Sequence, residues 1–132
     1  MIGLVYAGGK SIRFGKDKAT YHVPRLPATN VQLAVEKLMP LCQQIIVCAN
    51  ETNRAHIIEL VGQVPAVQII CDIPPYDHHG PLSAIIACTS QFSVVQDYLT
   101  LAVDYPYITK DVLAILARTS NSYIVTSQHS HY

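Results

Sequence analysis

Residues 6–18 read YAGGKSIRFGKDK, and they follow directly on the apolar run MIGLV. Three glycines, three lysines and one arginine fall within these thirteen residues. A short apolar run passing straight into a Gly-rich basic loop is the pattern of a buried strand that ends at an anion site. Paired glycines such as Gly8 and Gly9 let the backbone turn and bring N–H groups close to phosphate oxygens with no Cβ in the way. Arg13 would add a planar guanidinium fork and Lys18 a point charge. An ordinary solvated turn is the competing reading of the same composition.

Two common phosphate loops do not fit. Gly9-Lys10-Ser11 looks like the end of a Walker A loop, but the glycine needed five residues earlier is Leu4, and Gly3 lies inside the strand. The dinucleotide pattern G-x-G-x-x-G fails as well, because Gly8 and Gly9 are adjacent and Gly15 comes much later.

Outward from this loop the chain alternates. Buried strands are expected at Ile2 to Tyr6, Ile45 to Cys48, Val67 to Cys71, Tyr98 to Val103 and Tyr123 to Thr126, since these runs lack the polar alternation of a half-exposed sheet. Helical periods lie between them. Thr29 and Gln32 suit a capping box, Val31, Ala34, Val35 and Leu38 share one face, and Pro40 marks the end. A second helix runs from about Asn53 to Val61, capped by Thr52 and closed by Gly62. A third begins at Gly80-Pro81 and a fourth at Thr109, the last burying Val112, Ile115 and Leu116. Strand and helix in alternation predict an α/β fold, a three-layer sandwich with a mainly parallel sheet, in one domain spanning residues 1–132. In such sheets ligands bind beyond the carboxyl ends of the strands. The ends here are Tyr6 to Gly9, Cys48-Ala49-Asn50, Cys71-Asp72 and Val103-Asp104.

Composition narrows the function. The chain has 132 residues, with nine Lys plus Arg against nine Asp plus Glu, so no global field gathers nucleic acid or an acidic membrane surface. No segment reaches the ~20 apolar residues of a membrane span, and a cytoplasmic protein is expected. The four cysteines, Cys42, Cys48, Cys71 and Cys88, form no C-x-x-C pair and read as buried free thiols. His78-His79 and the His129/His131 pair read as solvated surface before metal ligands. Charged residues make up only 14% of the chain and apolar ones 50%. A covering segment outside this length, or a homo-oligomeric interface, would each account for a surface so poor in charge.

Taken in order, A-G-G-K-S-x-R-F-G-x-D-K, then CDIPPYDHHGPLSAI, then LTLAVDYPYIT, the chain resembles the nucleotidyltransferases, and most closely the molybdenum cofactor guanylyltransferases of the MobA family. Sugar-nucleotide and cytidylyl relatives share the outline. The resemblance implies a Rossmann-like fold of the nucleotide-diphospho-sugar transferase type. It further implies an enzyme that joins the GMP part of GTP to the terminal phosphate of molybdopterin and releases pyrophosphate. A non-catalytic module that binds Mg-GTP is the alternative.

By the same resemblance Tyr6, Ala7, Gly8 and Gly9 line the nucleotide, and Arg13 and Lys18 neutralise its phosphates. Asp72 sits in the guanosine pocket, and Asp104 holds Mg²⁺. Simple turn roles compete at both aspartates, before Pro74-Pro75 and before Pro106. Where relatives carry Asn or Ser, this chain has Cys48, a poorer donor. The implied partners are GTP and molybdopterin, with a homo-oligomer or other cofactor-biosynthesis proteins as further candidates. Because relatives continue through further strands and helices, a C-terminally truncated domain is expected.

Overall fold

A computed structural model describes residues 1–8, 16–71 and 97–119, together with the backbone of residues 12–13, 124–125 and 130–131. Four strands form one parallel sheet: β1 (Ile2–Tyr6), β4 (Gln44–Ala49), β5 (Val67–Cys71) and β6 (Tyr98–Ala102). Two short antiparallel pairs accompany it: β2 (Ile12–Arg13) with β3 (Lys16–Asp17), and β7 (Ile124–Val125) with β8 (Ser130–His131). The described helices are α1 (Asn30–Leu38), α2 (Arg54–Val61) and α3 (Lys110–Ala117). Among the described residues no helix is long and apolar enough to cross a membrane.

The sheet order is β5-β4-β1-β6. The chain therefore steps outward from β1 through β4 to β5 and returns to the other flank of β1 as β6. At this reversal of strand order, beyond the ends of β1 and β6, lies the place where sheets of this kind bind ligands, and the helices that follow the two strands, α1 and α3, pack on the same face of the sheet. Register ties the three central strands together, with Gly3 opposite both Ile45 and Leu99, and Tyr6 opposite both Cys48 and Ala102.

Strand periodicity divides the core into two faces. Val5, Ala7, Ile45, Val47, Ala49, Leu99, Leu101 and Val103 pack with Val31, Ala34, Val35 and Leu38 of α1, Ile57 and Val61 of α2, and Leu113 of α3. Ile2, Leu4, Ile46 and Cys48 form a second buried cluster, against which Tyr6, Ile70 and Tyr98 pack. Burial on both faces is the condition that a layered parallel α/β sheet sets.

Gly3 belongs to the first face, and there the strand has no room for a side chain. A Cβ on it would stand 3.1 Å from Cys42 Sγ, 3.2 Å from Leu38 Cδ1 and 3.3 Å from Ile45 Cγ1. The end of α1 thus lies directly on the β1 backbone.

Local signals explain most element boundaries. At the start of α1, Gln32 Oε1 accepts from the Thr29 N–H at 3.0 Å and from Thr29 Oγ1 at 2.9 Å, the reach-back half of the expected box. Thr109 Oγ1 accepts from the Val112 N–H at 3.3 Å and starts α3 as expected. The expected face of α1 is buried in full.

Three expectations need correction. The N-cap of α2 is Asn53 and not Thr52, because Asn50 and Asn53 exchange bonds that close the turn before the helix: Asn50 N–H to Asn53 Oδ1 at 2.9 Å, and Asn53 N–H to Asn50 Oδ1 at 2.8 Å. In α3 the buried residue is Leu113, with Leu116 and Ala117 packed beside it, whereas Ile115 is 57% exposed. The inward stripe of α3 is rotated to follow its contact with α1, which periodicity within a short apolar run cannot specify. Finally, β5 is only half-buried, with Gln68 exposed, because it flanks a single strand among the described residues. The helix expected from Gly80-Pro81 lies outside the described residues.

Apolar side chains do reach the surface, in line with the charge-poor composition. Met39, Ile58, Tyr107 and Ile115 are each exposed over 44% or more of their surface.

Candidate active site

The crevice beyond β1 and β6 holds an open cleft of about 300 Å³ lined by Tyr6, Ala7, Asp17, Lys18, Ala19, Val103 and Asp104. Four of the residues expected in the site, Tyr6, Ala7, Lys18 and Asp104, therefore meet around one space. Lys18 Nζ donates to Asp104 Oδ2 at 3.5 Å, and both side chains remain partly open to solvent, at 32% and 41%. Cation and carboxylate face each other across the mouth of the cleft.

The ends of β1 and β6 are held by extensions of the ladder. The Ala7 N–H donates to the Cys48 carbonyl at 2.9 Å, and the Val103 N–H to the Tyr6 carbonyl at 3.3 Å. These bonds fix Ala7 and Val103 as floor and wall. Both are buried, so the cleft has an apolar base beneath a charged rim.

Lys18 is positioned by the start of α1. The first N–H groups of a helix have no partner within it. Here the Asn30 N–H donates to the Tyr21 carbonyl and the Val31 N–H to the Ala19 carbonyl, each at 2.9 Å. The Asn30 side chain adds a bond from Nδ2 to the Lys18 carbonyl at 2.9 Å. The segment carrying Lys18 is thereby laid across the helix end, and its ammonium is left to project toward Asp104.

Asp17, which sequence reasoning passed over as part of G-x-D-K, is tied up in structure. Its Oδ2 accepts from the Thr20 N–H at 3.1 Å and Thr20 Oγ1 at 3.2 Å, and its Oδ1 accepts from Asn53 Nδ2 at 3.1 Å. The two cleft carboxylates thus differ in kind: Asp17 is engaged in anchoring the loop return, while Asp104 is exposed at the rim.

Asn53 is the second residue that sequence reasoning missed as a site element. It is 3% exposed, and Nδ2 donates to the Ala7 carbonyl at 2.8 Å as well as to Asp17. Asn50 Nδ2 donates to the Gly8 carbonyl at 3.1 Å. The available signal was N-E-T-N before a helical period, an Asx turn whose side chains bond backbone groups.

Other expected site residues are placed as follows. Cys48 is fully buried on the sheet face shared with Ile2, Leu4 and Ile46, and its carbonyl receives the Ala7 N–H. Arg13 lies in β2 by its backbone, and nothing further of it is described. Gly9, Asp72, His78, His79, His129 and Cys88 lie outside the described residues, as does the side chain of His131. Cys42 and Cys48 are buried, as expected, whereas Cys71 is only half-buried at the end of the flanking strand β5. Among the described residues no group of three or more His, Cys, Asp or Glu side chains is gathered to hold a metal.

Behind the Asp104 turn, Lys37 Nζ donates to the Pro106 carbonyl. Burial holds the Lys37 ammonium below the usual lysine range, partly offset by Glu36 and reinforced by Lys110. Burial also pushes the Tyr105 phenol up, and the neighbouring Asp104 charge adds to this.

A cleft at the switch point of a parallel α/β sheet, with a Gly-rich loop following one strand and a carboxylate at the end of its neighbour, is the arrangement of an α/β nucleotide-binding domain. The chain belongs to the MobA-like NTP transferase domain family, whose model matches residues 3–131. It is 31% identical over 122 residues to a probable molybdenum cofactor guanylyltransferase of Bacillus cereus (strain Q1), covering 92% of this chain and 58% of that protein. A protein of the same printed name from Bacillus thuringiensis (strain Al Hakam) is 30% identical over the same spans. The chain thus spans little more than half the length of these curated relatives. Among solved structures, Rv0371c from Mycobacterium tuberculosis H37Rv superposes with a TM-score of 0.66 at 15% identity, over 89% of this chain and 59% of its own. That likeness supports the α/β fold.

Proposed function

We propose that this domain transfers GMP from GTP to the terminal phosphate of molybdopterin and releases pyrophosphate, as a cytoplasmic step of molybdenum cofactor biosynthesis. The observation that carries the reading is the Lys18 to Asp104 pair, 3.5 Å apart over the cleft at the switch point. The names of the relatives favour guanylyl over cytidylyl or sugar-nucleotide chemistry.

In this reaction a phosphate oxygen of the acceptor attacks the α-phosphorus of GTP. A new P–O bond forms, the α–β bridging bond breaks, and pyrophosphate leaves with the electron pair. The acceptor supplies the nucleophile, so the protein's task is positioning and charge neutralisation. Lys18, with Arg13, neutralises the triphosphate, and Tyr6 through Gly9 line the nucleotide. Asp72 accepts the N–H donors that guanine presents.

The residues present fit Mg²⁺. This ion keeps several waters and takes one or two protein carboxylates, and Asp104 offers one that is 41% exposed at the rim. When bound, the ion supplies charge relief between the converging phosphates.

Calorimetric titration with GTP, CTP and ATP, each with and without Mg²⁺ and repeated on Asp104→Ala, tests the reading. Selective, magnesium-dependent GTP binding that the variant loses is expected. Equal binding of all three nucleotides would remove the guanylyl assignment, and no binding of any would remove the function from this chain. If GTP binds but no GMP appears on molybdopterin, the chain is a nucleotide-binding module.

A further inference from the structure

Two asparagine side chains grip consecutive carbonyls of the phosphate loop. Asn53 Nδ2 holds the Ala7 carbonyl at 2.8 Å, and Asn50 Nδ2 holds the Gly8 carbonyl at 3.1 Å. Their amide orientation is fixed by their partners. Asn53 Oδ1 receives the Asn50 N–H and Asn50 Oδ1 receives the Asn53 N–H, so each NH₂ end is the one that meets the loop carbonyl.

Such a grip has a directional consequence. In a trans peptide the N–H points opposite to the carbonyl of the preceding residue. The Ala7 N–H bonds Cys48 of β4, and the Ala7 carbonyl turns to the same side to meet Asn53, which follows β4. The Gly8 N–H must then point to the β6 side of β1. Asp104 follows β6 on that side and Lys18 pairs with it at 3.5 Å, and Gly8 has no Cβ to keep a phosphate oxygen away.

Asn53 also bonds Asp17 at 3.1 Å, and Asp17 immediately precedes Lys18. One buried amide therefore contacts both the outgoing strand end and the returning limb of the loop. A side chain 3% exposed and bonded in this way has one fixed orientation, so the donors it aligns are pre-organised before any anion arrives.

Resting on the nucleotidyltransferase reading above, we propose that Asn53, assisted by Asn50, is a positioning residue for polyphosphate: by holding the Ala7 and Gly8 carbonyls on the β4 side, it aims the Gly8 N–H at the triphosphate. Asn53 itself touches no substrate. It acts through the backbone, and Lys18 supplies the charge that meets the same anion.

The test uses inorganic tripolyphosphate, which carries no base. Ala7-Gly8 is the one Ala-Gly step in the sequence, so joint labelling of alanine carbonyl carbon and glycine nitrogen isolates the Gly8 amide by NMR. In the unmodified chain tripolyphosphate is expected to move the Gly8 amide proton downfield. In Asn53→Ala its affinity should fall about tenfold, the loss of one oriented bond to a charged group, and the Gly8 response should vanish. Asn50→Ala should weaken binding severalfold. Thermal melts of both variants establish folding, and if Asn53→Ala does not fold, Asn50→Ala decides by the same readouts.

Unaltered tripolyphosphate affinity in the folded variant overturns the proposal, as does a Gly8 amide that stays still at saturation. A GTP-selective chain with a silent Gly8 amide defeats this inference and leaves the guanylyl reading standing. A Gly8 response with equal affinity for GTP, CTP and ATP, and its loss in the variants, upholds this inference and defeats the guanylyl reading.

Discussion

Lys18 and Asp104 lie 86 positions apart in the sequence and 3.5 Å apart in the fold. Their pairing at a partly open rim stabilises little, because exposed ion pairs contribute less than about 1 kcal/mol. Asp104→Asn and Lys18→Met should therefore melt close to the unaltered chain. Their effects on GTP should differ in sign according to the metal. With EDTA present, Lys18→Met binds GTP more weakly, while Asp104→Asn binds it as well or better, since a negative charge facing the phosphates is gone. With Mg²⁺ present, Asp104→Asn becomes the weaker by tenfold or more. Parallel titrations in EDTA and Mg²⁺ decide, and an Asp104→Asn variant that loses affinity equally in both would show that Asp104 acts by shape and not through a cation.

The strands behind this meeting were legible in outline, though not their order in the sheet. Apolar runs placed β1, β4, β5 and β6 within a residue or so, because buried parallel strands carry their signal in hydrophobicity alone. Lys18 and Asp104 could be named because each ends a strand-linked motif. Asn53 could not be named as part of the site. Its role depends on the Ala7 carbonyl, a backbone group on another strand that no side-chain pattern reports. The same limit applies to Leu113, which is buried where Ile115 was expected because the facing helix, not the helix's own sequence, selects the inward stripe. Asp17 shows a third kind of limit: its motif was visible, yet only the bonds from Thr20 and Asn53 reveal it as an anchoring carboxylate.

The end of α1 lies against Gly3, and substitution there should be felt in the core. An alanine Cβ there meets Cys42 Sγ at 3.1 Å and Leu38 Cδ1 at 3.2 Å. Overpacking of this kind costs about 1–3 kcal/mol, so Gly3→Ala should lower stability to urea by that amount. Part of the clash is with one sulfur atom. Cys42→Ala in the same chain should recover a measurable share, and a double-mutant cycle over the four proteins reads the coupling. Strict additivity would mean that the contact with Leu38 or Ile45 sets the cost.

Arg25 adopts φ of 76°, the left-handed region that side chains with a Cβ disfavour. It sits in the turn between Lys18 and α1, where the Leu26 N–H bonds the Val23 carbonyl at 3.1 Å and the chain reverses. The strain is about 1–2 kcal/mol for an L-residue, against a loss of about 0.5–1 kcal/mol from the greater freedom of glycine in the unfolded chain. Arg25→Gly should therefore raise stability by up to about 1 kcal/mol, and Arg25→Val should lower it. Urea unfolding of the pair measures both, and destabilisation by glycine would show that the arginine side chain makes a compensating contact.

Cys42 gives the fold a dependence on alkaline pH. Burial pushes its thiol up from the usual range, and the N-terminal ammonium pulls more weakly in the opposite direction. The folded chain thus keeps this proton at a pH where the unfolded chain has lost it. Its contribution is fully present below the unfolded value, about 8.5, and is lost as pH rises toward the folded one. Tyr105, also raised, acts in the same sense at higher pH, whereas Lys37, lowered by burial, acts in the opposite sense. The Cys42 part is isolated by comparison with Cys42→Ala. Between about pH 8 and 10 the unaltered chain should lose stability more steeply than the variant, by at most about 1.4 kcal/mol per pH unit. Urea midpoints measured across that range decide, and parallel curves would mean that the thiol titrates alike in the folded and unfolded chain.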